Sequence, residues 1–290
     1  MSDESEFPKY FEFHWPALFA VREAGGTVTN EEMNDAVVEA MGFDEKQQSI
    51  LHKDGPQTEL EFRIAWARSW LKGMGLIDNQ ARGIWSTTSL GRSATEADLP
   101  ELRREYHARM RHARKARDEA ESLEETDEAE PDEASEDSWQ PKLLKQMLAL
   151  EPDAFERLAQ RLLRAAGFIN TSVTQRSGDG GIDGTGDYRL SLITFPVYFQ
   201  CKRYQGAVGA DKVRDFRGAM AGRGDKGMII TTGSFTSSAK QEASRDGAPP
   251  IDLIDGDRLC ELLKDHELGV TVTTRKVEDV EVRPEFFEGL

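Results

Sequence analysis

Cysteine is nearly absent: Cys201 and Cys260 are the only two in 290 residues. They lack metal-ligand spacing and form no framework, which excludes a disulfide-stapled fold or a zinc module. Both read as small buried apolar residues. Long apolar runs are missing as well. No stretch approaches the roughly 20 residues of a membrane span, and the opening MSDESEFPKY lacks the basic-then-apolar order of a secretion signal. A cytoplasmic protein with no membrane partner is expected. Positive charge is in deficit, with 37 Lys and Arg against 53 Asp and Glu and a net charge of −16. The imbalance is local, however. Residues 118–137, DEAESLEETDEAEPDEASED, hold 12 acids and no base, which leaves −4 on the rest of the chain. Such a block reads as a solvated linker, or alternatively as a DNA mimic lying in a basic groove. DNA is therefore not excluded as a partner.

The length suggests two domains, each able to bury a core. Residues 1–97 read as a helical domain ending in a β-ribbon. Pro16 opens a first helix that Gly25-Gly26 ends. Thr29 with Glu32, and Thr58 with Glu61, have capping-box spacing for two further helices, and Asp44 caps a short one between them. The last helix, ELEFRIAWARSWLKGMG, carries Ile64, Ala67, Leu71 and Met74 on one stripe, with Arg63, Arg68 and Lys72 largely off it. A turn at Gln80-Ala81-Arg82-Gly83 then joins two short strands. Three main helices, with the short one between the last two, followed by a wing predict a winged helix, whose last helix can enter a major groove while the wing reaches backbone. Arg63, Arg68, Lys72 and Arg82 are the candidate DNA contacts; a merely solvated basic face is the alternative. Trp66 and Trp70 fit the core, or a pocket for an unstacked base.

Residues 98–137 join a basic helix, DLPELRREYHARMRHARKAR, to the acidic block. The helix suits a bridge between domains or a phosphate-tracking surface. A second globular domain follows over 138–270, then a polar tail, 271–290. Within it the expected order is a helix from Pro152, three antiparallel-type strands, then α/β crossovers. This gives a mixed sheet with helices on both faces. Asp183 lies in the Gly-rich turn Gly178-Asp179-Gly180-Gly181-Ile182-Asp183-Gly184. In the strand Val197–Lys202, alternation places Gln200 and Lys202 on one face and Phe199 and Cys201 on the other. A lysine on an apolar strand calls for an anion, because an unpaired buried ammonium is costly.

Phosphodiester hydrolysis needs a metal to stabilise phosphate charge and a group that orients the attacking water. Mg²⁺ takes oxygen ligands. Asp183 can supply a carboxylate, Gln200 an amide oxygen and Cys201 its backbone carbonyl. Lys202 could orient the water or hold a phosphate oxygen. Glu156, on the helix edge near the azimuth of Leu163, could hold a second metal or a water, or simply pair with an arginine. Arg176 could meet a phosphate, and Gln175 flanks the same turn. Asp179 could bind metal through water or hold the turn. Thr231 and Thr232 could touch DNA or cap the following helix.

Five spaced segments, FERLAQRLLRAAGF, RSGDGGIDG, FQCKRY, KGMIITTGSFTSSA and LIDGDRLCELL, closely resemble the catalytic domain of Mrr-type restriction endonucleases, in the PD-(D/E)xK nuclease superfamily. IAWARSWLKGMGLI and RGIWSTTSLGR resemble the Mrr N-terminal winged-helix domain. The resemblance implies a restriction-endonuclease-like α/β fold, with Asp183, Gln200 and Lys202 catalytic and Glu156 on the matching helix. It also implies Mg²⁺-dependent cleavage of methylated or otherwise modified double-stranded DNA. Gln200 stands where the superfamily pattern has an acid, and the Mrr branch carries that glutamine. Cutting two strands needs two sites, so a homodimer or larger assembly is expected. A nuclease-fold scaffold without activity and a structure-specific nuclease are the rival readings.

Overall fold

A computed structural model describes residues 7–53, 55–81, 83–117, 139–174, 181–224 and 226–273. The acidic block and most of the polar tail lie outside them. In the N-terminal domain a 3-10 turn, Tyr10–Phe13, runs into α1 (His14–Glu23), followed by β1 (Thr27–Thr29), α2 (Asn30–Met41), α3 (Glu45–Gln48) and α4 (Glu59–Gly73). The wing is β2 (Ile77–Ala81) and β3 (Ile84–Thr87), to which β1 adds a third antiparallel strand. Both expected capping boxes form. Thr29 Oγ1 accepts from the Glu32 N–H at 3.1 Å while Glu32 returns to the Thr29 N–H at 2.7 Å, and Thr58 and Glu61 repeat the exchange. Each satisfies two N–H groups that a helix start leaves unpaired.

After α5 (Ser89–Ser93), the basic helix α6 (Leu99–Arg117) does not stand apart. Leu99, Leu102 and Tyr106 pack into the N-terminal core, and Arg109 donates to the Gly73 carbonyl at 3.0 Å. Its exposed face includes Arg104, Arg109 and Arg111.

His14 is 1% exposed and stacks on Trp66 with ring centroids 5.2 Å apart. Burial, then nearby Arg103, lowers its pKa to about 3. Its folded pKa thus lies below the unfolded value near 6.5. The neutral ring's contribution to stability is complete above that value and is lost as pH falls towards 3. Thermal melts of the full chain should show the His14 core losing a few kcal/mol of stability across this window. A His14→Gln variant should flatten that dependence; an unchanged slope would remove His14 as its source.

The second domain opens with α7 (Trp139–Leu148), an element not expected from the sequence, and α8 (Pro152–Ala165). The strands β4 (Phe168–Val173), β5 (Gly184–Leu190) and β6 (Ile193–Lys202) form an antiparallel meander. β7 (Ala207–Val208) leads to α9 (Ala210–Met220) and β8 (Gly227–Thr231). β9 (Ser234–Phe235), α10 (Ser237–Ala243), β10 (Ile251–Ile254) and α11 (Gly256–Asp265) complete the domain. Sheet order is β10-β8-β6-β5-β4, with β6, β8 and β10 parallel. One face packs on α7, α8 and α11 through Phe155, Leu162, Phe199 and Ile230. The other packs on α9 and α10 through Val213, Phe216 and Ile229.

Strand β6 starts earlier than Pro196, the expected first residue. Pro196 pairs with Asp187 of β5, while the β6–β8 ladder begins only at Tyr198. The missing N–H therefore faces an unpaired side, where proline is tolerated.

Candidate active site

Strand β5 leaves β6 at Asp183, and there the candidate residues converge. The Asp183 N–H donates to the Phe199 carbonyl at 2.9 Å, and its Oδ2 accepts from the Cys201 N–H at 2.7 Å. Gly184 permits this approach, since a Cβ there would run into the Phe199 ring and the Ser172 carbonyl. The N–H and C=O of one strand residue point to the same neighbour. The Cys201 carbonyl therefore opens towards the side that holds the Asp183 carboxylate.

Gln200 and Lys202 lie opposite Ile229 and Thr231 of β8, on the α9/α10 face of the sheet. Gln200 is 5% exposed. Its Nε2 donates to the Gly181 carbonyl, and its Oε1 is buried with no hydrogen-bond partner among the described residues. Lys202 is half-buried, so its ammonium keeps part of its solvation. Glu156 is also half-buried, but it comes from α8 on the opposite face. The Cys201 thiol senses the three charged members of the group. Burial raises its pKa most, Asp183 and Glu156 add to that, and Lys202 opposes it. Asp183, Gln200 and Lys202 thus cluster around one strand end, with Glu156 reaching the same neighbourhood from across the sheet.

The donor set suits a hard cation: a carboxylate, a backbone carbonyl and an unpartnered amide oxygen are all oxygen ligands. Among the described residues no three His, Cys, Asp or Glu side chains gather as a metal cluster.

The other expected contacts fare differently. Arg63 is buried; it donates to Glu59 Oε1 and the Pro8 carbonyl, both at 2.5 Å, and lies 4.3 Å over the Tyr10 ring. Its donors are used inside the domain, and the i,i+4 spacing from Glu59 was the available signal. Arg68 is buried too, donating to Asn34 Oδ1 at 3.0 Å. Burial lowers its pKa to about 10, against the opposing pull of Asp257 and Glu61. Lys72 is exposed. Arg82, Gln175, Arg176 and Asp179 lie outside the described residues. Trp66 is core, packed on His14 and on Trp70 at 4.9 Å, and forms no base pocket.

Thr231 and Thr232 are buried, and neither caps a helix. Their hydroxyls donate to the Lys202 and Tyr204 carbonyls at 2.7 and 2.8 Å, holding the end of β6, whereas Thr236 caps α10.

Arg68 faces Asp257 because the two domains pack together. Lys240 of α10 bonds both Asp35 oxygens of α2 at 2.8 Å and Glu31 at 2.9 Å, and the Ser237 N–H donates to Gln48 Oε1 at 2.9 Å. Between the domains lies a cleft of about 390 Å³, lined by Asn34, Asp35, Glu61, Lys240, Asp255 and Asp257 among others; none of Asp183, Gln200 and Lys202 lines it.

The sequence matches the Mrr N-terminal domain family over residues 10–97 and the Mrr catalytic, restriction endonuclease family over residues 147–263. The chain belongs to the Mrr-type restriction endonucleases. Similarity extends along the whole Mrr architecture. The type IV methyl-directed restriction enzyme EcoKMrr of Escherichia coli strain K12 is 29% identical over 97% of this chain and 99% of its own length. Two solved structures share less. MspJI restriction endonuclease in complex with a 27-mer oligonucleotide is 26% identical, with a TM-score of 0.35 over 59% of this chain and 43% of its own. The DNA modification-dependent restriction endonuclease AspBHI is 19% identical, with a TM-score of 0.39 over 67% and 56%. This Mrr-type chain thus spans about half the length of each, and at those scores neither bears on the site. No helix among the described residues is long and apolar enough to cross a membrane.

Proposed function

We propose that this Mrr-type nuclease hydrolyses phosphodiester bonds of methylated or otherwise modified double-stranded DNA, with Mg²⁺ held at the end of β6. The observation that carries the site is the buried, unpartnered Oε1 of Gln200, whose chain neighbour Cys201 anchors the Asp183 carboxylate through its N–H. Asp183, Gln200 Oε1 and the Cys201 carbonyl would hold the cation. When bound, it stabilises charge on the phosphate and makes its water acidic. The Lys202 ammonium holds a phosphate oxygen or orients the attacking water. Glu156, from the far face of the sheet, positions a water or a second cation. Modified DNA as substrate is supported by what the Escherichia coli relative is described as doing.

The winged-helix domain would select the DNA. Arg63 is engaged inside its own domain, whereas Arg68 faces Asp257 across the domain contact, so Arg68 would reach DNA only if the two domains parted. The exposed Lys72, the wing residue Arg82 and Arg176 beside the catalytic turn are the remaining contacts of this reading. Cutting both strands calls for two copies of the site, hence a homodimer or larger assembly.

The decisive experiment incubates purified protein with one plasmid, methylated and unmethylated, in Mg²⁺ and in EDTA. Cutting of the methylated plasmid alone, abolished by EDTA, is the expected result. Equal cutting of both removes modification dependence, and binding without cutting removes the nuclease.

A further inference from the structure

An amide has two unlike ends, and at Gln200 the protein dictates which end faces where. The Gly181 carbonyl accepts a hydrogen bond from Gln200 Nε2. Only the nitrogen end of an amide can meet a carbonyl oxygen, so Oε1 must face the other way. It does so while buried and without a partner among the described residues. The two residues after Gly181 are held in place. Ile182, next in the chain, is 2% exposed in the α9/α10 core, and the Asp183 N–H is bonded to the Phe199 carbonyl at 2.9 Å. Gly181 has φ +101°, and a Cβ there would stand 2.6 Å from Gln200 Nε2. Glycine is thus required twice, for the backbone conformation and for the approach of the amide.

We propose that Gly181 is a positioning residue: its carbonyl turns the Gln200 amide so that Oε1 faces the cation site, and thereby requires glutamine rather than glutamate at that position. The inference rests on the site assignment above. The carboxylate introduced by Gln200→Glu has no hydrogen to give Gly181. It would place an oxygen against a fixed carbonyl oxygen in a buried position, or swing away from the site. Restoring the acid of the wider superfamily should therefore weaken the site, although it adds a negative charge.

Full-length wild type, Gln200→Glu, Gln200→Met and Gly181→Ala would be compared in two assays without DNA. The first is thermal unfolding at neutral pH without divalent ions. Gln200→Glu should lower the midpoint by roughly 4 °C or more, and by more than Gln200→Met, which brings no charge to the same place. The second is Mn²⁺ titration by calorimetry. Affinity should fall about tenfold or more in both Gln200→Glu and Gly181→Ala. A Gln200→Glu protein that melts at or above the wild-type temperature, or binds Mn²⁺ more tightly than wild type, would overturn the proposal. Unchanged Mn²⁺ affinity in Gly181→Ala would do the same. Plasmid cleavage by wild type reports separately on the nuclease reading. An active wild type with a tighter-binding Gln200→Glu defeats this inference alone. A wild type that neither cuts nor binds Mn²⁺ defeats the site assignment, and the melting comparison still decides the Gly181 contact.

Discussion

Lys202→Ala and Asp183→Ala should each lower plasmid cleavage by roughly 10³-fold or more while leaving DNA binding close to wild type. Charged groups aimed at a developing phosphate charge are worth about two to three orders of magnitude each in comparable sites, and loss of a metal-holding carboxylate removes the cation's contribution as well. The two variants should differ in how they fail. Asp183 also accepts the Cys201 N–H at 2.7 Å, so its loss leaves a backbone donor without that acceptor and should cost some stability. Lys202 is half-buried, and its backbone carbonyl, not its side chain, accepts from Thr231 and Thr232. Its truncation should leave the melting temperature nearly unchanged. Gel-shift binding, melting curves and cleavage on the same preparations test this; cutting retained within about tenfold by either variant would sink the assignment.

The second large effect is expected far from the chemistry. Lys240→Glu would place a third carboxylate between Asp35 and Glu31, where the native ammonium bonds both. Loss of a fully buried ion pair costs about 3–5 kcal/mol. Asp35 and Glu31 are 46% and 57% exposed, so screening should reduce the cost here to roughly 2–3 kcal/mol. Domain packing should loosen, seen as two separated unfolding transitions in calorimetry. A single transition at the wild-type temperature would contradict it.

The same contact has a pH sign of its own. Burial, reinforced by Asp257, pushes Asp255 up to about 7, and burial with Glu61 pushes Asp257 up to about 6. Asp257 keeps an exposed surface within the cleft, so Asp255 carries more weight. With folded pKa values above the unfolded value near 3.9, this contribution is complete below about 4 and is lost as pH rises through 6 to 7. Mild acid should tighten the domain contact while it weakens the His14 core.

Much of this architecture is legible in the sequence because it is locally encoded. Thr29 with Glu32 and Thr58 with Glu61 mark two helix starts by themselves, and alternation along β6 puts Gln200 and Lys202 together without reference to anything distant. What was not legible depends on partners that only tertiary packing supplies. Arg68 reads as surface charge until Asn34 and the catalytic domain close over it, and Thr231 and Thr232 read as caps or DNA contacts until β6 comes alongside. Gly181 reads as one glycine among many in a turn; its role lies in a carbonyl aimed at a side chain on β6, beyond the whole of β5. Helix α7 was within reach, since Leu144 and Met147 have helical spacing and Pro141 lies near its start.

The pairing of β6 on both sides bears on when the enzyme becomes dangerous during its own synthesis. The β5–β6 hairpin is local and can form as soon as it emerges. The parallel β6–β8 ladder must wait until α9 and β8 have been made, and such non-local pairing forms slowly. A nascent chain that stops short of Gly227 holds Glu156, Asp183, Gln200 and Lys202 in covalent order, yet β8 is not there to seat Gln200 and Lys202 against Ile229 and Thr231. Cutting competence should therefore arrive late in translation, and interrupted chains should be harmless to the DNA around them.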